Sequence, residues 1–286
     1  MRLRHRLIGA ALDRANGALA RIARLRPDRA LLGRRVALTI DVPYGRRPGQ
    51  RLDVLRPARQ RGTRPAALYL HGGGFRVLSK DTHGIMAGQL AAAGWVVFCA
   101  DYRLAPRHPF PAGLEDAADA LCWVLDHAAE HDADASSLTL VGESAGGNLC
   151  VALALATCFE RPEPFARALF ARDPRITTLA PLCAFLDVAG RQPTARERSL
   201  PPWIRARVDQ LVRDYAGHVT GDAAFFANPL AVLESDLAPA RPLPPVFASC
   251  GERDPILEDT RRLERALARR GVEHDVRYYA GQGHAF

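Results

Sequence analysis

Lysine is almost missing from this sequence: Lys80 is the only one among 39 basic residues. That bias reads as base composition of the gene, not as function. Long apolar runs are missing too. None reaches the ~18 residues that span a bilayer, which argues against an integral membrane protein. No CxxC pair and no Cys/His cluster has zinc-ligand spacing, so no metal is expected. The six cysteines are Cys99, Cys122, Cys150, Cys158, Cys183 and Cys250, mostly inside apolar stretches such as WVVFCA and PVFASC. They are expected to be reduced and buried, which favours the cytoplasm. GxGxxG and a P-loop lysine are absent, which disfavours a phosphate-cradling loop. Acidic residues are scarce at the amino end. Residues 1–64 hold 17 arginines against Asp13, Asp28, Asp41 and Asp53, a net +13 within a total of +8, which leaves −5 on the body. The basic excess comes without aromatic or groove-reading elements, so nucleic acid is not an expected partner.

What is present suits a folded protein. The 286 residues are 48% hydrophobic and 24% charged, enough for a large core in one large domain or two small ones. Near the amino terminus Ile8, Ala11, Leu12, Ala15, Leu19 and Ile22 recur at helical spacing, with Arg6, Arg14, Arg21 and Arg24 opposite. This predicts an amphipathic helix. Arginines interrupt every apolar run, so it is not a secretory signal. A lid over an active site, a weak contact with an anionic membrane surface and plain packing on the body all remain open for it.

From residue 35 short apolar runs alternate with helix-like segments. RVALTIDV, RLDVLRP, AALYL, WVVFCADY, SLTLVG, ITTLAPL, PVFASCG and DVRYYAG read as strands. Segments 82–93, 112–130, 145–158 and 258–270 read as helices. Runs apolar on both faces suit parallel strands covered by helices, and the alternation predicts an α/β doubly wound sheet. The stretch 186–243, rich in Pro and Arg with one helix-like segment at about 201–216, reads as an insertion. No internal repeat or low-complexity tract appears.

Four chain segments carry chemistry. Gly142-Glu143-Ser144-Ala145-Gly146 is G-x-S-x-G between an apolar run and an Ala/Leu-rich helix. Small flanking residues permit a sharp turn with Ser144 exposed at its apex, above a helix amino terminus. His71-Gly72-Gly73-Gly74-Phe75 follows the strand AALYL. Its glycines let N–H groups approach a reacting carbonyl, so Gly73 and Gly74, with the Ala145 N–H, are expected to form an oxyanion hole. His71 is expected to orient that loop. The serine needs a base and the base a carboxylate, in chain order Ser, acid, His. Among His218, His274 and His284, the last lies in a glycine-rich loop at a strand's carboxyl end, where sites gather in open α/β sheets. Asp254 sits likewise after PVFASCG. Glu252, Glu258 and Asp259 are its rivals, the last two at a helix start where acidic residues are favoured anyway.

Together these motifs resemble the hormone-sensitive-lipase-like branch of the α/β-hydrolases, the bacterial family IV esterases. The resemblance covers roughly residues 65–286, through HGGGF (71–75), DYRLAP (101–106), FPAGLEDA (110–117), GESAGGNL (142–149), NPL (228–230), LPPVF (243–247), GERDPILED (251–259) and GQGHAF (281–286). It implies an α/β-hydrolase fold: an eight-stranded, mostly parallel sheet with helices on both faces and a helical cap. Residues 1–34 would be amino-terminal cap helices, 186–243 a cap insertion, and 35–185 with 244–286 the two parts of the catalytic domain. It also implies hydrolysis of short- to medium-chain carboxylic esters, a small-molecule ester substrate and no cofactor. An amide or formamide hydrolase or deacetylase with the same triad is the close rival. A non-catalytic receptor and an interfacial lipase are more distant ones, and a homodimer is compatible with the resemblance. Three departures stand out. Arg107 follows DYRLAP where Glu is frequent, Glu143 replaces Asp or Thr, and the chain stops at Phe286. The family usually continues by about a helix beyond the catalytic histidine, so a truncated or missing terminal helix is expected.

Overall fold

A computed structural model describes residues 32–59, 61–190 and 193–286, together with 11, 15, 18, 19, 22, 23 and 25. Eight strands form one sheet: β1 (Val36–Pro43), β2 (Arg51–Pro57), β3 (Arg64–Leu70), β4 (Val96–Ala100), β5 (Ala133–Glu143), β6 (Ile176–Leu182), β7 (Val246–Gly251) and β8 (His274–Tyr279). Their spatial order is β1-β2-β4-β3-β5-β6-β7-β8. β2 runs antiparallel to both β1 and β4, and every other pair is parallel. The expected sheet is therefore present. Its centre is apolar on both faces, with all five residues of β4 buried. Edge strand β8 alternates between half-buried and exposed residues, as a strand covered on one side does.

Two layers of helix cover this sheet. On one face α1 (Gly84–Ala92) packs Ala87 and Ala91 against Leu55, Ala67, Tyr69 and Val97. On the other lie α2 (Ala112–His127), α3 (Ala145–Cys158) and α4 (Pro164–Arg172), with α8 (Leu257–Arg269) adding Leu263 and Leu267 to the same core. All 14 residues of α3 are buried. A helix enclosed on every side has no polar stripe, which is why its sequence, AGGNLCVALALATC, lacks one.

The stretch 186–243 holds α5 (Ala195–Ser199), α6 (Pro202–Ala216) and α7 (Pro229–Glu234). Its two ends are tied to the body. Arg262 on α8 holds both, meeting Asp187 Oδ2 at 2.5 Å and forking onto Glu234 at 2.6 and 2.8 Å, while Asn228 caps α7 and donates to Asp187 Oδ1 at 2.8 Å. Arg270 donates to the carbonyls of Val232, Leu233, Ser235 and Leu237, satisfying groups that a helix end leaves unpaired. α6 instead lies over the loop after β3. Arg76 pairs with Asp214, and Phe75 stacks on Tyr215 with ring centroids 3.7 Å apart. Phe75 is fully buried. Phe75→Ala should lower unfolding stability by about 3–5 kcal/mol, measured as a reduced denaturant midpoint.

The amino-terminal segment is helical at residues 11, 15, 18, 19, 22 and 23. Ala11, Ala15, Leu19 and Ile22, four members of the expected apolar stripe, are exposed rather than seated on the body. Ile8, Leu12 and the four opposing arginines lie outside the described residues. Among the described residues no helix is long and apolar enough to cross a membrane.

Candidate active site

The strand β5 delivers Ser144 to a sharp turn. Ser144 has φ +50° and ψ −115°, a strained backbone for a residue with a side chain, costing of order 1–3 kcal/mol. Neighbouring backbone holds it there: Ser144 N–H donates to Leu182 O at 2.9 Å, and Phe185 N–H donates to Ser144 O at 3.0 Å. Gly146 makes the approach possible, because a Cβ there would overlap the Leu70 carbonyl oxygen. The small residues of the G-x-S-x-G motif thus have a direct steric reason.

The carboxyl ends of β7 and β8 supply the other two groups. Asp254 is fully buried. Its Oδ1 accepts the Ile256 N–H at 2.8 Å, and its Oδ2 accepts His284 Nδ1–H at 2.8 Å. His284 Nε2 lies 2.9 Å from Ser144 Oγ. Residues 140 and 30 positions apart in the chain therefore meet in one line of hydrogen bonds. Burial alone would lower the His284 pKa. The hydrogen bond and charge of Asp254 outweigh it, and the net shift is upward from 6.5. Arg196, at the start of α5, donates to the carbonyls of Glu252 at 2.6 Å and Asp254 at 3.3 Å, tying the insertion to this loop.

The rival residues lie elsewhere. His218 contacts Phe110 O and His274 contacts Val272 O. Glu258 pairs with Arg261, while the buried Asp259 carboxylate accepts the N–H groups of Leu186 and Asp187 at 2.8 and 3.0 Å. Glu252 is exposed.

Above Ser144 sits the glycine loop. Gly73 and Gly74 have φ +113° and +59°, and a Cβ on Gly73 would collide with the Val77 carbonyl oxygen. Among the described residues, the N–H groups of Gly73, Gly74 and Ala145 donate to no protein acceptor. His71 braces the loop from below. Its ring stacks on Tyr102 at 4.3 Å, and its Nδ1–H donates to Gly72 O at 2.7 Å. Burial pushes the His71 pKa down to about 3, so the ring is neutral. Tyr102 Oη–H donates to His71 O at 2.7 Å.

Three groups here escaped the sequence reading. His83 Nε2 meets both the Gly72 N–H, at 3.3 Å, and the Glu143 carboxylate. No motif marks His83, which reaches the loop from eleven residues away. Lys80 places its ammonium 2.8 Å from Asp41, 3.0 Å from Asp53 and 2.8 Å from Asp81. Its N–H also donates to Asp101 Oδ1 at 2.7 Å. Burial raises the Asp101 pKa to about 6. Cys183, directly after β6, is buried, and that burial pushes its thiol up to about 12. All six cysteines are free thiols, with Cys122 half-buried and the others buried.

A cavity of about 320 Å3 opens onto Ser144 and His284. Phe185, Ile256 and, from α6, Trp203, Val208 and Leu211 give it largely apolar walls. Its size is at the small end of ligand-binding clefts.

The sequence profile of the alpha/beta hydrolase fold family matches residues 67–286. Carboxylesterase NlhH of Mycobacterium tuberculosis is 33% identical over 216 residues, which cover 74% of this chain and 63% of that protein. The matched stretch thus spans just under two thirds of that relative's own length. Esterase LipW from Mycobacterium marinum superposes with a TM-score of 0.76 at 25% identity, covering 97% of this chain and 82% of that one. A hyperthermophilic esterase from the archaeon Pyrobaculum calidifontis gives 0.75 at 28% identity, covering 99% and 86%. The chain belongs to the α/β-hydrolase fold family, in its hormone-sensitive-lipase-like branch.

Proposed function

We propose that the protein is a serine carboxylesterase acting on short- to medium-chain carboxylic esters. The observation that carries this reading is the continuous hydrogen-bonded line Ser144–His284–Asp254 at 2.9 and 2.8 Å. Esterase relatives in the same branch support it. Ser144 Oγ attacks the ester carbonyl as His284 Nε2 takes its proton. Asp254 holds the imidazole in the required tautomer and stabilises the imidazolium. The N–H groups of Gly73, Gly74 and Ala145 receive the oxyanion, in a place where each donor is worth about 10²–10³ in rate. His284 then protonates the leaving alcohol, and water repeats the sequence on the acyl-enzyme. His71 keeps the donor loop in place. The cavity of about 320 Å3 favours compact acyl groups, and α5 and α6 act as the cap.

A fluorophosphonate probe read by intact mass, followed by an acyl-length series of p-nitrophenyl esters, tests this directly. One adduct on Ser144 and a rate that falls toward long chains are expected. An unlabelled protein overturns the reading, and faster turnover of a matched amide moves it to the amidase rival.

The pH profile gives a further check. Only the neutral imidazole can accept the serine proton. Because Asp254 raises the His284 pKa, the imidazolium persists to higher pH than in an isolated histidine. The kcat/KM of the free enzyme should therefore be half-maximal above pH 6.5 on its acidic limb. A limb centred below that value contradicts the arrangement.

A further inference from the structure

Two thiols border the triad, and the proposed reaction uses neither. Cys250 Sγ lies 3.4 Å from Asp254 Oδ2. Cys183 is the more unusual, because it holds φ +37°, a left-handed backbone rarely taken by a residue with a Cβ. Its Sγ, a carboxylate oxygen of Asp254 and a ring nitrogen of His284 all lie within 4.8 Å of one another. Thiolate, imidazole and carboxylate are the donors that zinc-like cations take, three from the protein with a fourth place left for water. The cavity lined by Asp254, His284 and Ala285 gives a cation a way in to two of these donors. Sequence spacing could not disclose this set, because its members come from three different strand ends.

We propose that Cys183, Asp254 and His284 form an inhibitory site for a soft or borderline divalent cation, Zn2+ or Cd2+, which switches the hydrolase off. The inference rests on the serine-hydrolase reading above. In the active tautomer His284 carries its proton on Nδ1, facing Asp254, and keeps a lone pair on Nε2 for Ser144. A cation entering between Asp254 and His284 takes the Nδ1 lone pair, the carboxylate and the sulfur. The thiol proton leaves to solvent, and the imidazole proton moves from Nδ1 to Nε2. The ring stays neutral, yet an Nε2–H cannot accept the proton of Ser144. Asp254, now bound to the cation, no longer supports an imidazolium. Little movement is required. Metal–ligand bonds of about 2.0–2.3 Å place tetrahedral ligands about 3.5 Å apart.

The test titrates the full chain with CdCl2 and ZnCl2. Expected in the wild type is one Cd2+ per chain with an ultraviolet thiolate-to-cadmium band. Hydrolysis of p-nitrophenyl butyrate and fluorophosphonate labelling should fall together, and EDTA should restore both. Cys183→Ala and Cys183→Ser should lose the band. Each should need at least about tenfold more Cd2+ for equal inhibition of its own metal-free rate, the low end of what even outer partners of metal sites contribute. Cys122→Ala, on α2 away from the trio, should respond as wild type. Inhibition unchanged in both Cys183 variants overturns the proposal, and so does a cadmium band that leaves labelling intact. Should neither variant fold, the wild type alone decides, since inhibition without a thiolate band also refutes the site. A metal-free protein that takes no fluorophosphonate label refutes the esterase reading instead, and the cadmium band then judges the metal site by itself.

Discussion

Ser144→Ala is expected to reduce kcat for p-nitrophenyl butyrate by about 10⁶, the scale of nucleophile knockouts in serine hydrolases. The change removes one oxygen. It leaves the Leu182 and Phe185 backbone bonds that hold the turn, so folding should survive, checked by an unchanged melting temperature. The glycine loop and the cavity also remain. A residual rate about 10³–10⁴ above water is therefore expected from the oxyanion donors and binding alone. Fluorophosphonate labelling should vanish in the same variant. Turnover near the wild-type level would place the nucleophile elsewhere and end the triad assignment.

Asp254→Asn should cost about 10⁴ in kcat. The substitution keeps size, and the Asn side-chain oxygen can still accept the Ile256 N–H. What changes is the face toward His284. An amide NH2 directed at Nδ1 favours a lone pair there and a proton on Nε2, the tautomer that cannot accept from Ser144. Loss of the carboxylate charge also removes what raises the imidazole pKa, so the acidic limb of kcat/KM should move to lower pH as the rate drops. Matched changes at the rivals separate the roles. Glu258→Gln, on a residue paired with Arg261 at the surface of α8, should leave both rate and limb unchanged. A variant Asp254→Asn with near-normal kcat and an unmoved limb would remove Asp254 from the mechanism.

Much of this arrangement was legible in the chain because its signals are local. All eight strands read as short apolar runs, since the central ones are buried on both faces, and the turn residues at 142–146 and 71–74 announce their own geometry. The elements that escaped are of two kinds. α5 and α7 have five and six residues, too few for a helical period to emerge. α4 begins at Pro164 and carries Arg167 and Arg172, and its packing against α3 rather than its own pattern makes it a helix. The missed site groups are all products of tertiary contact. His83 and Cys183 acquire meaning only where separate strand ends meet. Lys80 reads in the sequence as a remnant of base composition. In the fold, a compact ammonium is what three converging carboxylates accommodate, where a broad guanidinium would not fit the same point. For the amino-terminal stripe, which is helical at its described residues, periodicity says which side is apolar and nothing about what lies against it.

The union of Phe75 with Tyr215, and of Arg76 with Asp214, links two things that a hydrolase would gain by keeping apart. In the proposed reading, the amides that quench developing charge and the roof that admits cargo are one mechanical part. Widening the doorway to bulkier guests by shifting α6 would also slacken the grip on the oxyanion. Breadth of diet and speed of turnover are then opposed in this architecture, and variants selected for large esters should arise by trimming walls such as Trp203 rather than by lifting the roof.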